Sequence, residues 1–305
     1  MFISQEKEAA MSKRKRRSKE SCKKAKHICW LGSLLAKLPS SCKALYPLYL
    51  AAQLYTVEEV YPSDRIPKEF DGLRIVFASD IHYGKLFKED RVRTLAERIN
   101  ALEADVVVLG GDYGCNSDAA VAFFRLNPSF HAKETVLGVM GNHDRTYPEE
   151  NERLLLDAMR KDGVKPLVND AVMLQRNGKR IAFAGTDDYF SGDPDLSYTA
   201  YRCRNADFVI YVSHNPDILP ETYRMPGGPF YQLALCGHTH GGQVAIAGKA
   251  IKSPSGYGNR YLSGWFHENG VDILVSNGVG TTDLPVRLGA KPQIHLITLR
   301  STCAN

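Results

Sequence analysis

The 305-residue sequence lacks any pair of cysteines spaced as Cys-x-x-Cys, and its seven cysteines are scattered from Cys22 to Cys303. An odd number without paired spacing argues against the disulfide framework that staples many small secreted domains, so free thiols are expected. The sequence also has no internal repeat. With 44% hydrophobic residues, the chain has enough apolar material for one large core or two small ones.

No window of the sequence offers the roughly 20 consecutive apolar residues that a membrane-spanning helix needs. Two apolar runs lie near the N-terminus, Ile28–Ala36 and Ala44–Tyr55, and lysines and prolines, Lys37, Pro39, Lys43 and Pro47, interrupt every longer window. This pattern argues against a transmembrane span.

Positive charge is concentrated at the N-terminus. The first 60 residues contain twelve Lys/Arg and five Asp/Glu, a net of +7, so the formal +5 of the whole chain leaves −2 for the remainder. Nine of these cations lie between Lys13 and Lys26. A segment so charged and so poor in apolar groups does not fold alone. We therefore predict a mobile basic arm over residues 1–27, and Met11 is an alternative start of the chain.

Residues 28–63 are predicted to form an apolar segment and linker ahead of a domain that spans residues 64–305. A basic arm followed by an apolar segment with Trp and Tyr is typical of an interfacial membrane anchor, so residues 13–55 are predicted to contact a membrane surface. The alternatives are a helix that packs on the body, contact with nucleic acid, and a degenerate export signal at Arg16-Arg17. The location is left open between membrane-associated and cytoplasmic.

Five apolar runs of strand type each end in side chains that can bind a metal or move a proton. These side chains are Asp80 and His82, Asp112, the triplet Asn142-His143-Asp144, His214, and His238 with His240. Helical spacing over 88–103 and near 117–126 separates the first three runs, which predicts parallel strands with ligands at their carboxyl ends. Residues i and i+2 of a strand share one side, so Asp80 and His82, or His238 and His240, face one ligand if the strand continues through them.

Taken alone, a His-x-His or Asp-x-His pair is equally consistent with a polar strand end whose side chains are solvated. The complete ordered set resembles the calcineurin-like metallophosphoesterase superfamily. The phrases Leu109-Gly-Gly-Asp-Tyr113, Ser213-His-Asn-Pro-Asp217 and Cys236-Gly-His-Thr-His-Gly-Gly-Gln243 narrow the resemblance to its YkuE/YaeI-like bacterial branch. The resemblance runs from about Leu73 to Leu299 and implies an α/β fold, a four-layer α/β/β/α sandwich with mixed sheets, for the domain over 64–305.

The resemblance implies two divalent metal ions. Asp80, His82 and His240 would hold the first, and Asn142, His214 and His238 the second. Asp112 would bridge the two ions. Imidazole, carboxylate and amide ligands suit Mn, Fe, Zn or Co better than calcium. The implied reaction is hydrolysis of a phosphomonoester, phosphodiester or pyrophosphate by a metal-bound hydroxide.

His143 is predicted to be the general acid that protonates the leaving group, as the corresponding residue of the family does. Asp144 would orient the imidazole and keep it cationic, because a nearby carboxylate raises the pKa of a histidine. Cys115 stands where many members have a second Asp, which leaves the surroundings of the bridging carboxylate undefined. Tyr257 and Arg260 lie in an aromatic loop that either lines a substrate groove or is an ordinary packed loop.

The expected partner is a phosphate ester, nucleotide-linked or lipid-linked, with neither nucleic acid nor an obligate protein partner. A second hypothesis is a non-catalytic binding or scaffold module of the same fold. Retention of every ligand and of His143 argues against it, because a scaffold needs no general acid. A third hypothesis, a nuclease guided by the basic arm, agrees poorly with the net charge of −2 on the rest of the chain.

Overall fold

The computed structural model describes residues 45–145 and 150–303. The predicted basic arm, residues 1–27, and the first part of the apolar segment, residues 28–44, lie outside the described residues. Within those ranges, no helix combines the length and the apolar character needed to cross a membrane.

Fourteen strands and six α-helices make up the described ranges. In chain order they are α1 Tyr46–Ala52, β1 Tyr55–Ser63, β2 Arg74–Ala78, α2 Glu89–Asn100, β3 Val106–Leu109, α3 Ser117–Arg125, β4 Thr135–Gly138, α4 Glu150–Lys161, β5 Val164–Pro166, β6 Asp170–Arg176, β7 Lys179–Gly185, α5 Leu196–Cys203, β8 Phe208–Ser213, α6 Leu219–Thr222, β9 Leu233–Cys236, β10 Ala245–Ile246, β11 Lys249–Ala250, β12 Gly264–Glu268, β13 Val271–Val275 and β14 Gln293–Ser301.

Twelve of the strands form two six-stranded mixed sheets, and β10 and β11 form a separate hairpin. The first sheet has the order β1-β14-β2-β3-β4-β5 and the second the order β12-β13-β9-β8-β7-β6. In the first sheet, β2 to β5 are parallel to one another. β14 runs antiparallel to β2, and β1 is parallel to β14. In the second, β7, β8, β9 and β13 are parallel, and the two outermost strands are antiparallel to their neighbours.

The alternation of side chains along the strands creates four layers. Phe77 and Val108 of the first sheet pack with Phe183 and Ile210 of the second, which forms a core between the sheets. The opposite face of the first sheet packs on α2, α3 and α4, and the outer face of the second sheet packs on residues of α5 and α6. The predicted α/β/β/α sandwich with mixed sheets is therefore confirmed.

The helix α2 illustrates how the sequence specifies these layers. Glu89 and Asp90 occupy its first turn, where acidic groups favour the positive end of the helix dipole. The predicted stripe is buried as expected at Val92, Leu95 and Ile99. This face packs on the first sheet, so the 3.6-residue period of the sequence becomes one contact surface.

Residues Tyr55–Ser63, which the sequence assigned to the linker, form a strand of the first sheet. It pairs in parallel with β14 over its whole length, from Tyr55 opposite Gln293 to Ser63 opposite Ser301. The pairing joins residues more than 230 positions apart, and the alternating burial along β1 is weak. The apolar residues that precede it therefore look like a linker when the sequence is considered alone.

Candidate metal centre

The predicted ligands follow the carboxyl ends of five strands, β2, β3, β4, β8 and β9, that belong to both sheets. Because these ends meet at one edge of the sandwich, the structure brings the predicted side chains into one cluster. Asp80, His82, Asp112, His214, His238 and His240 of this cluster are all buried.

One part of the cluster is formed by Asp80, His82 and His240. Nε2 of His82 lies 3.0 Å from Nε2 of His240, and Nε2 of His240 lies 3.3 Å from Oδ1 of Asp80. One ligand atom from each of the three lies within 4.8 Å of the others. Such a group can hold one metal ion.

The second part is formed by Asn142, His214 and His238. Nδ1 of His238 lies 2.9 Å from Oδ1 of Asn142, and the rings of His214 and His238 meet edge to face with centroids 5.2 Å apart. Asp112 lies between the two parts, because its Oδ2 is 3.4 Å from Nε2 of His82 and 3.3 Å from Nε2 of His214.

The backbone at the site corrects the expectation that the strands continue through their motifs. Asp80, His82, His238 and His240 have φ between 51° and 68°, in the left-handed region that costs an ordinary residue about 1–2 kcal/mol. The His-x-His pair is consequently divided, with His240 beside His82 and His238 beside Asn142. The paired ligands converge through tight turns rather than along one side of a strand.

A glycine beside the turn allows this close approach. A Cβ at Gly237 would lie 2.5 Å from Oδ2 of Asp80. The N–H of His238 donates to both oxygens of the same carboxylate, at 3.0 and 3.1 Å. Only a residue without a side chain lets the backbone donate at this distance.

Burial sets the charge of the histidines. It lowers the pKa of His82 and of His238 to about 3 in each case and lowers the pKa of His240 well below its usual value. These imidazoles are therefore neutral at physiological pH, which is the form that binds metal ions.

The carboxylates and His214 show that the centre of the cluster favours positive charge. Burial opposes ionisation of Asp112, but His214 and His143 outweigh it and hold the pKa of that carboxylate well below its usual value. Burial raises the pKa of Asp80 to about 6. Burial also disfavours the charged form of His214, yet Asp112 and Asp80 raise the pKa of that imidazole.

Two buried nitrogens supply a test of whether metals fit. Nε2 of His214 and Nε2 of His238 have no hydrogen-bond partner. Nδ1 of His214 lies 2.8 Å from the Gly110 carbonyl and donates to it, which turns Nε2 towards the carboxylate of Asp112. Nε2 and the carboxylate lie 3.3 Å apart, and the raised pKa of His214 shows that positive charge is stabilised there. A divalent metal supplies that positive charge when the imidazole is neutral, so the donor set fits a divalent metal.

Asp144 and His143 are held mainly through the backbone around Asp112. The carboxylate of Asp144 accepts the N–H groups of Asp112 at 2.7 Å, Gly141 at 2.9 Å and Tyr113 at 2.9 Å. These contacts give Asp144 a role that the sequence did not predict, because it fixes the turn that carries Asp112. Its predicted action on the imidazole of His143 stays a prediction.

His143 lies half-buried beside the first group of ligands. Its ring meets the ring of His82 edge to face, with centroids 4.9 Å apart. Its backbone N–H donates to Oδ1 of Asp112 at 2.9 Å. Its Nδ1 lies 3.2 Å from the carbonyl of Cys115, so the residue in the place of the usual second Asp contributes through its backbone.

Arg287 is a buried residue to which the sequence assigned no role. Its Nη1 donates to the carbonyls of Asn277 at 2.7 Å and of His240 at 3.3 Å, and its Nε donates to the Gly280 carbonyl at 3.0 Å. Its Nη2 lies 3.3 Å from Nδ1 of His240. A single arginine in a Pro-Val-Arg phrase carries no local signal of burial, so only the fold reveals this contact.

The two predicted substrate residues lie in a loop beside the cluster. Arg260 forms an ion pair with Glu268 and lies over the ring of Tyr257, 5.6 Å from its centroid. The N–H of Gly256 donates to Asp217, three residues after His214, at 2.6 Å. The loop is therefore tied to the site, while the charge of Arg260 is directed to Glu268.

The comparisons with known proteins agree with this geometry. Residues 73–242 match the family described as calcineurin-like phosphoesterase. The Bacillus subtilis metallophosphoesterase YkuE is 33% identical over 264 residues, which cover 84% of this chain and 90% of YkuE. Phosphodiesterase YaeI of Escherichia coli is 25% identical over 238 residues, which cover 74% of this chain and 82% of YaeI.

A solved structure to which the chain is similar is a dimetal phosphatase from Danio rerio. The TM-score is 0.43 and the identity 12%, and the match covers 68% of this chain and 88% of that one. The family match covers more than half of the chain, and its ligand motifs lie in one buried cluster. The chain therefore belongs to the calcineurin-like phosphoesterase family and is a metallophosphoesterase, a hydrolase that acts on phosphate esters.

Proposed function

We propose that the chain hydrolyses phosphate esters with two divalent metal ions. Asp80, His82 and His240 would hold one ion and Asn142, His214 and His238 the other, while both would share Asp112. The observation that carries the proposal is the position of Asp112, whose Oδ2 lies 3.4 Å from Nε2 of His82 and 3.3 Å from Nε2 of His214. Mn, Fe, Zn and Co suit this mixture of imidazole and oxygen ligands.

When bound by these residues, two ions would supply a hydroxide nucleophile at neutral pH and would neutralise charge on the phosphoryl oxygens. The two oxygens of Asp112 have separate tasks. Oδ2 faces His82 and His214, while Oδ1 accepts the N–H of His143 at 2.9 Å. Asp112 therefore fixes the predicted general acid relative to the reacting phosphate.

His143 is proposed to protonate the leaving oxygen. Its Nδ1 donates to the Cys115 carbonyl, 3.2 Å away, which assigns the proton transfer to Nε2. The half-buried ring lies beside the ring of His82. This position agrees with contact between the ring and the esterified group rather than with a place among the ligands.

The substrate class is proposed from the relatives and from the ligand chemistry. The similarity to a phosphodiesterase, YaeI, makes a phosphodiester the first substrate to test. Phosphomonoesters and the pyrophosphate of nucleotide-linked or lipid-linked compounds contain the same reactive group and follow it in the order of testing.

The experiment is an activity screen of protein reconstituted with Mn, Fe, Zn or Co. The substrates are p-nitrophenyl phosphate, bis-p-nitrophenyl phosphate, UDP-sugars and glycerophosphodiesters. We expect turnover of at least one of them by protein that contains two ions per chain. An absence of turnover on all of them, with two ions verified, would support the scaffold hypothesis instead.

Two variants separate the proposed roles. His143→Ala should keep its metal content but lose turnover by about 10²- to 10⁴-fold, whereas Asp112→Asn should lose both ions. His131→Ala is the matched control, because this histidine is exposed and lies outside the cluster. Loss of metal from His143→Ala would assign this residue to the ligands and contradict the proposal.

Contact between residues 13–55 and a membrane remains a proposal based on the nine cations between Lys13 and Lys26. Co-sedimentation of the full chain with anionic and with neutral vesicles tests it. We expect binding to anionic vesicles only, with a loss of binding when these cations are replaced by Gln. Equal recovery with both kinds of vesicle would contradict it.

A further inference from the structure

An exposed aromatic ring lies beside the second group of predicted ligands. Phe190, in the loop that follows β7, is 51% exposed, and its ring centroid lies 5.5 Å from that of His238. An apolar ring that is exposed beside a ligand site is available to contact the molecule bound there.

Polar contacts hold this loop in one conformation. Oδ2 of Asp188 accepts the N–H groups of Phe190 at 3.0 Å and of Ser191 at 2.7 Å. Asp187 accepts the N–H of Asp193 at 2.9 Å and pairs with Arg145 at 2.5 Å. The ring is therefore positioned by hydrogen bonds of its own backbone and not by burial of its side chain.

Three hydrogen bonds of Asn169 stabilise the same conformation of the loop. The amide of Asn169 accepts the N–H groups of Asp187 at 3.0 Å and Asp195 at 2.9 Å and donates to the Asp193 carbonyl at 2.9 Å. A Cβ at Gly192 would lie 2.5 Å from the carboxyl carbon of Asp187. A ligand that contacts Phe190 consequently meets a preorganised surface, which reduces the entropy lost on binding.

Tyr189 extends the aromatic surface. Its ring centroid lies 5.5 Å from that of Phe190, and its hydroxyl donates to Oε1 of Glu221 on α6 at 2.5 Å. Glu221 lies a few residues after His214, which directly follows β8. The same part of the chain therefore supports both a predicted ligand and the aromatic surface.

We propose that Phe190 forms a stacking subsite for an aromatic group, aryl or nucleobase, carried by the phosphate ester. The inference rests on the proposed function, since it needs a phosphate held at the cluster. Aromatic rings attract each other in offset or edge-to-face arrangements with centroids 4.5–7 Å apart. The face of Phe190 offers such a partner to the group esterified to the phosphate.

The test measures binding rather than turnover. Metal-loaded protein is titrated by calorimetry with phenylphosphonate, cyclohexylphosphonate and methylphosphonate, and uridine 5′-monophosphate serves as the nucleobase probe. We expect Phe190→Ala to weaken phenylphosphonate by about 5- to 100-fold while methylphosphonate binds as before. Phe190→Trp should restore the affinity and Phe190→Leu should not.

Tyr198→Ala is the matched control, because Tyr198 is an exposed aromatic residue on α5, 48% exposed, in contact with Tyr201. It should leave all affinities unchanged. An unaltered affinity of Phe190→Ala for phenylphosphonate would overturn the subsite. Full affinity of Phe190→Leu, together with equal binding of the phenyl and cyclohexyl compounds, would overturn its aromatic character.

The nucleobase probe separates the two sources of an aromatic group. A loss for uridine 5′-monophosphate equal to that for phenylphosphonate supports a nucleobase, and a loss for phenylphosphonate alone supports an aryl ester. Failure of the proposed function would appear differently, because metal-loaded wild-type protein would then bind no phosphonate and hydrolyse no ester.

Discussion

Replacement of Arg287 by Met should destabilise the protein and weaken its metal centre. The guanidinium is fully buried and donates to the carbonyl groups of five residues, Asn277, Gly278, Gly280, Ala290 and His240. Because these partners are backbone groups, they remain in place and buried after the side chain is changed. The situation differs from a buried ion pair, in which both charges can be replaced together.

The magnitude follows from the two carbonyls that make the shortest contacts. Asn277 accepts from Nη1 at 2.7 Å, and Gly280 accepts from Nη2 at 2.5 Å and from Nε at 3.0 Å. A buried acceptor left without a partner costs about 1–3 kcal/mol. Removal of a buried charge returns part of this loss, so we expect the free energy of unfolding to fall by about 3 kcal/mol. Arg287→Lys keeps the charge but loses the planar fork, and it should show a similar loss.

The assay is equilibrium unfolding in urea, together with the metal content of the folded protein. Arg93→Met is the matched control, because Arg93 is exposed on α2, and its free energy of unfolding should change by less than about 0.5 kcal/mol. A change of less than about 1 kcal/mol for Arg287→Met, with its metal content unaltered, would refute the reasoning.

Three further predictions concern backbone, pH and metal. Gly278 has φ +68°, and a Cβ there would lie 2.5 Å from Cβ of Asp80, so Gly278→Ala should lose metal. The control is Gly163→Ala, which has φ +81° and open space around the new Cβ and should cost about 1 kcal/mol of stability but keep its metal. Equal metal content in the two variants would contradict this prediction. Burial raises the pKa of Asp162 to about 6, so the folded chain holds this proton more tightly than the unfolded chain, and stability is lost as pH rises through that value. Asp162→Asn should therefore raise the melting temperature at about pH 8 but not at about pH 4. An equal effect at both pH values would exclude burial of the charge as the cause. Chelation should lower the melting temperature of wild-type protein, because ions at about 100 times their dissociation constant stabilise the folded state by about 2.7 kcal/mol. It should not change the melting temperature of Asp112→Asn. Calorimetry of both proteins with and without chelator measures the difference.

Much of the fold and the site could be predicted because the relevant patterns are local. Val106–Leu109 is apolar on both faces, so it predicts a strand covered on both sides, and the strand is fully buried. The side chains predicted to bind metal follow such strands directly. Since parallel strands end at the same edge of a sheet, the sequence order alone predicts that Asp80, Asp112 and Asn142 converge.

The remainder depends on contacts between distant residues or on backbone conformation. The pairing of β1 with β14 joins the two ends of the described chain, and no local pattern in β1 identifies its partner strand. The left-handed turns at Asp80 and His240 are uncommon for any residue with a side chain, although Asp and His adopt them more readily than most, so propensity predicts a different backbone there. The burial of Arg287 contradicts the usual exposure of arginine.

The most direct measurement of the central claim is anomalous diffraction from crystals soaked in manganese. The account predicts two anomalous peaks per chain. One should contact Asp80, His82 and His240, the other should contact Asn142, His214 and His238, and the carboxylate of Asp112 should touch both. A single peak, or peaks that lie away from Asp112, would contradict the dinuclear centre on which the proposed hydrolysis depends.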